Sequence, residues 1–271
     1  MPACIRLPSP RQPTGGTMLE REIQIHTADG EMTTFICQPD GAGPYPVAML
    51  YMDGVGYREE IKDHARRFAA AGYVCVTPDL YYRSGRGLHF DPAAFRDPQG
   101  SEAQLMRRAA SAVTPAAVVA DTQAALVEIA ADPVASTGPT VSIGYCMGAR
   151  AALAVAAGLA DRFAAMAGIH PGALVTDQPD SPHHDLARVR GEVYVAFAEI
   201  DRSASAEVVE RFRQEALAQG VHGLVERIPG VAHGYSMADL PAYDHDAAER
   251  HFERTLDLWA RTLHPDTGAA P

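Results

Sequence analysis

The chain has 271 residues, more than a small stapled module needs and few for two domains of roughly 150 residues each. Hydrophobic residues make up 47% and charged residues 21%, the balance of a globular chain with a substantial core rather than a disordered one. Lys plus Arg total 23 against 34 Asp plus Glu, a formal charge of −11; this sign repels a phosphate backbone, so no nucleic-acid partner is expected. No apolar run reaches the roughly 18 residues that span a bilayer, so no membrane partner is expected and the default location is cytoplasmic. Cys4, Cys37, Cys75 and Cys146 read as thiols, because neither size nor compartment calls for disulfides.

Residues 1–17, rich in Pro and Gly and lacking an apolar stretch, read as a flexible leader or a misassigned start before Met18. Two strand-like runs, Ile23-Gln24-Ile25 and Thr33 to Cys37, flank the turn signal Asp29-Gly30 and predict an antiparallel hairpin. The pattern then changes. Pro46 to Tyr51 is a continuous apolar run, as in a strand covered on both faces, followed by a helix with Ile61, Ala65, Phe68 and Gly72 on one side. Strands at Tyr73 to Asp79, Thr140 to Tyr145, Ala164 to Ile169, Glu192 to Ala198 and Gly223 to Ile228 alternate with helices at Ala117 to Ala131, Met147 to Leu159 and through Val208, Phe212 and Ala216. A closing helix places Ala248, Phe252, Thr255, Trp259 and Leu263 on one face.

This order predicts a single α/β domain over residues 18–263, with a mostly parallel, doubly wound sheet and a short flexible tail at 264–271. Ligands should then sit beyond the carboxyl ends of the strands. Between Ser84 and Pro115 the rhythm lapses into a Gly, Asp and Pro-rich loop and a short helix near Glu102 to Ala112, a lid-like excursion.

Gly144-Tyr145-Cys146-Met147-Gly148 follows a strand and opens a helix, the context of a G-x-nucleophile-x-G elbow. Chance supplies such a pattern only about 0.03 times in a chain of this composition. The helix N-terminus favours thiolate over thiol, and a base is still needed because an ordinary cysteine is only a few per cent ionised near neutrality. Asp201 and His233 both follow strands, and the order Cys146, Asp201, His233 is that of nucleophile, acid and base in α/β-hydrolases. His170 follows a strand but precedes the acid, so it is expected to line the site. His183 and His184 read as solvated. His245 and His251, six apart on a helix, face different ways, and no metal site is expected.

The motifs G-Y-C-M-G at the elbow, D-L-Y-Y-R from Asp79 to Arg83, E-I-D ending at Asp201 and A-H-G at Ala232 to Gly234 resemble those of the dienelactone hydrolase family over roughly Met18 to Leu263. The resemblance implies an α/β-hydrolase fold and hydrolysis of carboxylic esters or enol-lactones, a carboxymethylenebutenolidase-like reaction. Cys146 would be nucleophile, His233 general base and then acid, and Asp201 the orienting carboxylate, with a thioacyl-enzyme and no cofactor. It also implies that Asp53 contacts the resting thiol and helps to ionise it, and that the backbone N–H groups of Gly54 and Met147 form the oxyanion hole. Arg83 would pair with a substrate carboxylate, and Tyr82, Tyr145, His170 and Met237 complete the expected substrate contacts. Met237 stands where the family has a second carboxylate-binding arginine, which weakens the case for dienelactone itself and favours a less anionic or differently held ester. The expected partner is a small ester or lactone, and the chain is expected as a monomer or small homo-oligomer. The alternatives are a general carboxylesterase or thioesterase with the same triad, and a non-catalytic ligand-binding or thiol-sensing protein.

Overall fold

Every strand and helix expected above finds a place in a computed structural model, which describes residues 17–93, 97 and 99–263 and carries one sheet of eight strands. The expected leader, except for Thr17, and the expected tail lie outside the described residues. The strands are β1 (Met18–Thr27), β2 (Gly30–Pro39), β3 (Val47–Tyr51), β4 (Val74–Pro78), β5 (Thr140–Tyr145), β6 (Phe163–Ile169), β7 (Glu192–Ile200) and β8 (Gly223–Ala232), in the spatial order β1-β2-β4-β3-β5-β6-β7-β8. The hairpin β1–β2 turns at Asp29-Gly30 and joins β4 antiparallel. All other pairings, from β4 across to β8, are parallel.

Helices α1 (Glu59–Ala70) and α6 (His245–Leu263) cover one face of the sheet, while α3 (Pro115–Ile129), α4 (Met147–Gly158) and α5 (Ala206–Ala218) lie on the other. Two-sided coverage explains the composition of the inner strands: every residue of β3, β4 and β5 is buried, whereas β1 at the sheet edge alternates with solvent. Helix α1 turns Ile61, Ala65 and Phe68 inward. Phe68 meets Trp259 of α6, their ring centroids 4.7 Å apart, and Tyr73 closes the cluster 5.0 Å from the same indole.

The excursion after β4 carries α2 (Ser101–Ala112). Its first part is stitched back to the β3–α1 loop: the Tyr57 N–H donates to the Leu88 carbonyl at 3.0 Å and the Phe90 N–H to the Val55 carbonyl at 2.8 Å. One element escaped the sequence reading, a 3-10 turn at Pro182–Arg188. It corrects one of the solvated histidines, since His183 is buried and hydrogen-bonded to Ser181 Oγ at 2.7 Å, while His184 is exposed. Among the described residues no single helix is long and apolar enough to cross a membrane.

Trp259 is fully buried where α1, β4 and α6 meet. Trp259→Ala should therefore cost about 3–5 kcal/mol of folding stability, read by chemical denaturation followed by circular dichroism. A loss below 1 kcal/mol would show that α6 packs independently of this cluster.

Candidate active site

Cys146 sits between the last residue of β5 and the first of α4 with φ 53° and ψ −111°, a conformation that L residues rarely hold. Two backbone hydrogen bonds fix it: its N–H donates to the Ile169 carbonyl at 3.0 Å, and its carbonyl accepts from Gly172 N–H at 3.2 Å. The flanking glycines are required by close approach. A Cβ on Gly144 would lie 1.9 Å from the Gly148 carbonyl oxygen, and one on Gly148 would lie 2.2 Å from that of Tyr51. The helix can thus start against β3 only because both positions lack side chains. Gly172 covers the thiol: a Cβ there would meet Cys146 Sγ at 3.6 Å and His233 Cε1 at 4.0 Å.

His233 follows β8 and Asp201 follows β7, each at the carboxyl end of its strand. Imidazole Nδ1 lies 2.5 Å from Asp201 Oδ2. The other carboxylate oxygen, Oδ1, accepts from Ser203 N–H at 2.7 Å and Ser203 Oγ–H at 2.8 Å. Burial alone would raise the Asp201 carboxyl, but the His233 and Ser203 donors outweigh it and hold it below the usual carboxylate range. Burial would likewise lower His233; the facing Cys146 side chain and the Asp201 carboxylate reverse this and raise the imidazole to about 10.

His170, with φ 36°, lines the same cavity, packs edge-on to His233 with ring centroids 5.1 Å apart, and pairs through Nε2 with Ser236 Oγ at 2.8 Å. Burial and the neighbouring His233 charge keep it well below the ordinary histidine range, and therefore neutral. Cys146, His170 and His233 open on a cavity of about 300 Å³ whose floor is Asp53 and Gly54 and whose walls include Val55, Pro92, Leu240 and Pro241. The described part of the excursion thus reaches the site through Pro92.

Asp53 occupies the expected position but not the expected contact. Its Oδ1 accepts from the Val55 N–H at 3.0 Å and Arg58 Nη1 at 2.6 Å, and its Oδ2 accepts from Arg58 Nη2 at 3.0 Å. Its hydrogen bonds close its own turn and bind Arg58, and none goes to Cys146. Arg83 is also corrected: its guanidinium is bidentate to Asp121 at 2.7 and 2.9 Å and reaches Asp29 at 2.8 Å. It lines a separate groove between the β1–β2 turn and α3. Tyr82 belongs to the same cluster, its hydroxyl bonded to Thr27 and Asp121. Tyr145 and Met237 are fully buried and line no part of the cavity; Tyr145 packs between His64 of α1 and His251 of α6.

Three features escaped the sequence reading. Tyr81, rather than Tyr82, borders the site, donating its hydroxyl to the Gly54 carbonyl at 2.9 Å. Ser203 grips Asp201, and its spacing in Asp201-Arg202-Ser203 is that of an Asx turn, a signal present in the sequence. Arg58 carries no such signal, because its partners lie 5 and 181 residues away.

The model of the dienelactone hydrolase family matches residues 32–263. The carboxymethylenebutenolidase of Pseudomonas putida is 27% identical over 244 residues, covering 90% of this chain and 97% of that protein. Among solved structures, a dienelactone hydrolase-like promiscuous phosphotriesterase from metagenomic libraries superposes with a TM-score of 0.75 at 20% identity, covering 92% of this chain and 99% of the other. A cold-adapted esterase from an Arctic intertidal metagenomic library gives 0.67 at 18% identity, covering 90% and 94%. The eight-stranded sheet is therefore that of the α/β-hydrolases, and with the family match running from β2 to the end of α6, the chain belongs to the dienelactone hydrolase family.

Proposed function

We propose that the chain hydrolyses small, uncharged carboxylic esters or lactones by nucleophilic catalysis at Cys146. The observation that carries this reading is the His233 imidazole, held by Asp201 at 2.5 Å and facing the thiol at the mouth of the cavity. Family membership sets the reaction class, carboxylic ester hydrolysis. The substrate's charge class follows from the walls. Val55, Pro92, Leu240, Pro241 and Ala242 are apolar, no Arg or Lys is among the described lining residues, and Arg58 and Arg83 are each held by carboxylates of the chain. A substrate carboxylate would enter this cavity without a guanidinium to meet it, so an enol-lactone carboxylate is a poorer fit than a neutral ester.

In the proposed sequence Cys146 Sγ attacks the ester carbonyl carbon. The backbone N–H groups of Gly54 and Met147 receive the developing oxyanion. Collapse breaks the C–O bond, and His233 gives its proton to the departing alkoxide, leaving the acyl group on sulfur. The neutral imidazole then takes a proton from water, which attacks the thioester and regenerates Cys146. Asp201 keeps Nε2 turned to the reaction and stabilises each imidazolium. His170, neutral throughout, packs the imidazole in place and lines the acyl space.

Cys146→Ala should lower turnover of an aryl ester by at least about a thousandfold with an unchanged circular dichroism spectrum; persistence of turnover would sink the mechanism. Arg83→Ala should leave the ratio of rates on a neutral aryl ester and an anionic enol-lactone unchanged, while costing about 1–3 kcal/mol of stability because buried Asp121 loses its partner. A selective loss on the anionic substrate would return Arg83 to the substrate site. The reactive pair needs a protonated imidazole, which is lost as pH rises through the raised value of His233. The alkaline limb of kcat/KM should therefore fall near pH 10; a limb near neutrality would contradict the charged pair.

A further inference from the structure

Cys146 stands in the turn after β5 and His233 in the turn after β8, with β6 and β7 between those strands in the sheet. The sheet spaces the strands, but both turns run past its edge, so the spacing of nucleophile and base depends on what links the turns. On the side of Cys146 the link is the turn after β6. Its Ile169 carbonyl accepts from Cys146 N–H at 3.0 Å, and its Gly172 N–H donates to the Cys146 carbonyl at 3.2 Å. Between these two residues His170, at φ 36°, extends its ring past the end of β7 and pairs through Nε2 with Ser236 Oγ at 2.8 Å. Ser236 lies three residues after His233 in the turn that follows β8, which is closed by Tyr235 N–H on the Ala232 carbonyl at 3.1 Å and Met237 N–H on the Gly234 carbonyl at 3.0 Å.

Both partners of this bond are buried, with 1% of His170 and 2% of Ser236 exposed, where a hydrogen bond is stronger than at a wet surface. The His170 Nδ1 has no partner among the described residues, which leaves Ser236 as the ring's one side-chain anchor. The turn's other holds come from β7: His233 N–H donates to the Ile200 carbonyl at 3.2 Å, and Asp201 holds the imidazole itself. Neither relates the turn to Cys146. Farther along, Asp239 accepts from Arg58 Nε at 2.6 Å, beside the cavity wall rather than in the turn.

We propose that Ser236 is a positioning residue: its hydrogen bond to His170 straps the turn that carries the base to the turn that holds the nucleophile, and so keeps His233 Nε2 at transfer distance from Cys146 Sγ. The proposal rests on the reading of Cys146 as nucleophile and His233 as base. Ser236 lines no part of the cavity, so it acts through His170 and His233 and not on the substrate. The bond also fixes the plane of the His170 ring, which packs edge-on to His233 with centroids 5.1 Å apart and backs the imidazole against rotation. A displacement of about 1 Å between reacting groups costs on the order of a hundredfold in rate.

The test is steady-state kinetics on a neutral aryl ester, measured well below the unfolding midpoint of each variant. In Ser236→Ala, kcat should fall about 10- to 100-fold with KM within about twofold of wild type. A merely structural role would lower the unfolding midpoint and leave kcat unchanged. His170→Asn tolerates the same left-handed backbone but is too short to reach Ser236, so kcat should fall to a similar degree. His170→Gln, whose amide extends about as far as imidazole Nε2, should recover most of the loss, but only while Ser236 is present. Combining His170→Asn with Ser236→Ala should be no slower than His170→Asn alone, because both remove the same bond. A kcat within about twofold of wild type in Ser236→Ala, a loss confined to KM, or multiplied losses in the double variant overturns the proposal. Should Ser236→Ala fail to fold, His170→Asn and His170→Gln decide, and equal rates in the two overturn it. Failure of the nucleophile reading would show separately, as ester turnover retained in Cys146→Ala.

Discussion

The start of α4 presses against the end of β3, and most of the site follows from that backbone contact. Gly148 lies where any Cβ would enter the Tyr51 and Met52 carbonyls, and Gly144 lies where one would enter Gly148. With the helix this close, the residue between them must turn through φ 53°, which lifts the Cys146 side chain off the sheet and into the cavity. The strain is borne by a buried frame: β5 lies between β3 and β6 with every residue covered, and two hydrogen bonds from the β6 side hold the cysteine backbone. A rigid parallel sheet is what lets one residue persist in such a conformation.

Electrostatics then sort two carboxylates with similar positions at strand ends into opposite duties. Asp201 is gripped on one oxygen by Ser203 and offers the other to His233. Asp53 is gripped on both oxygens by Arg58. The difference lies in the partners rather than in the carboxylates: an imidazole and a serine for Asp201, a guanidinium for Asp53. Arg58 and Arg83 are likewise committed to carboxylates of the chain itself rather than offered to a ligand.

Legibility in the sequence followed the range of the interaction. The elbow could be read because its requirements fall within five consecutive residues, and β5 because unbroken apolar runs mark strands covered on both faces. The order of Asp201 and His233 was readable because strand ends converge in a parallel sheet. The fate of Arg83 was not, since it depends on a partner chosen in space, Asp121, 38 residues away; Asp53 meets Arg58 only 5 residues on, but that guanidinium is itself held by Asp239, 181 residues away. A motif shared with relatives fixes the backbone position of such a residue without fixing what its side chain meets. Tyr145 was misplaced because successive strand residues point to opposite faces; Met237, expected at the site only through the resemblance, is buried beyond the turn that follows β8.

The bridge from Asp53 through Arg58 to Asp239 also joins segments that would otherwise open separately. The wall of the cavity at Leu240 and Pro241 belongs to a surface stretch between β8 and α6, where independent fluctuation would be the ordinary expectation. Arg58 ties it to the end of a central strand, and Glu60 of α1 adds a second hold by accepting the Ala238 N–H at 2.7 Å. The wall is thereby tied to the core at two points, so opening the cavity on this side requires breaking contacts to Arg58 and Glu60 rather than the movement of a free loop.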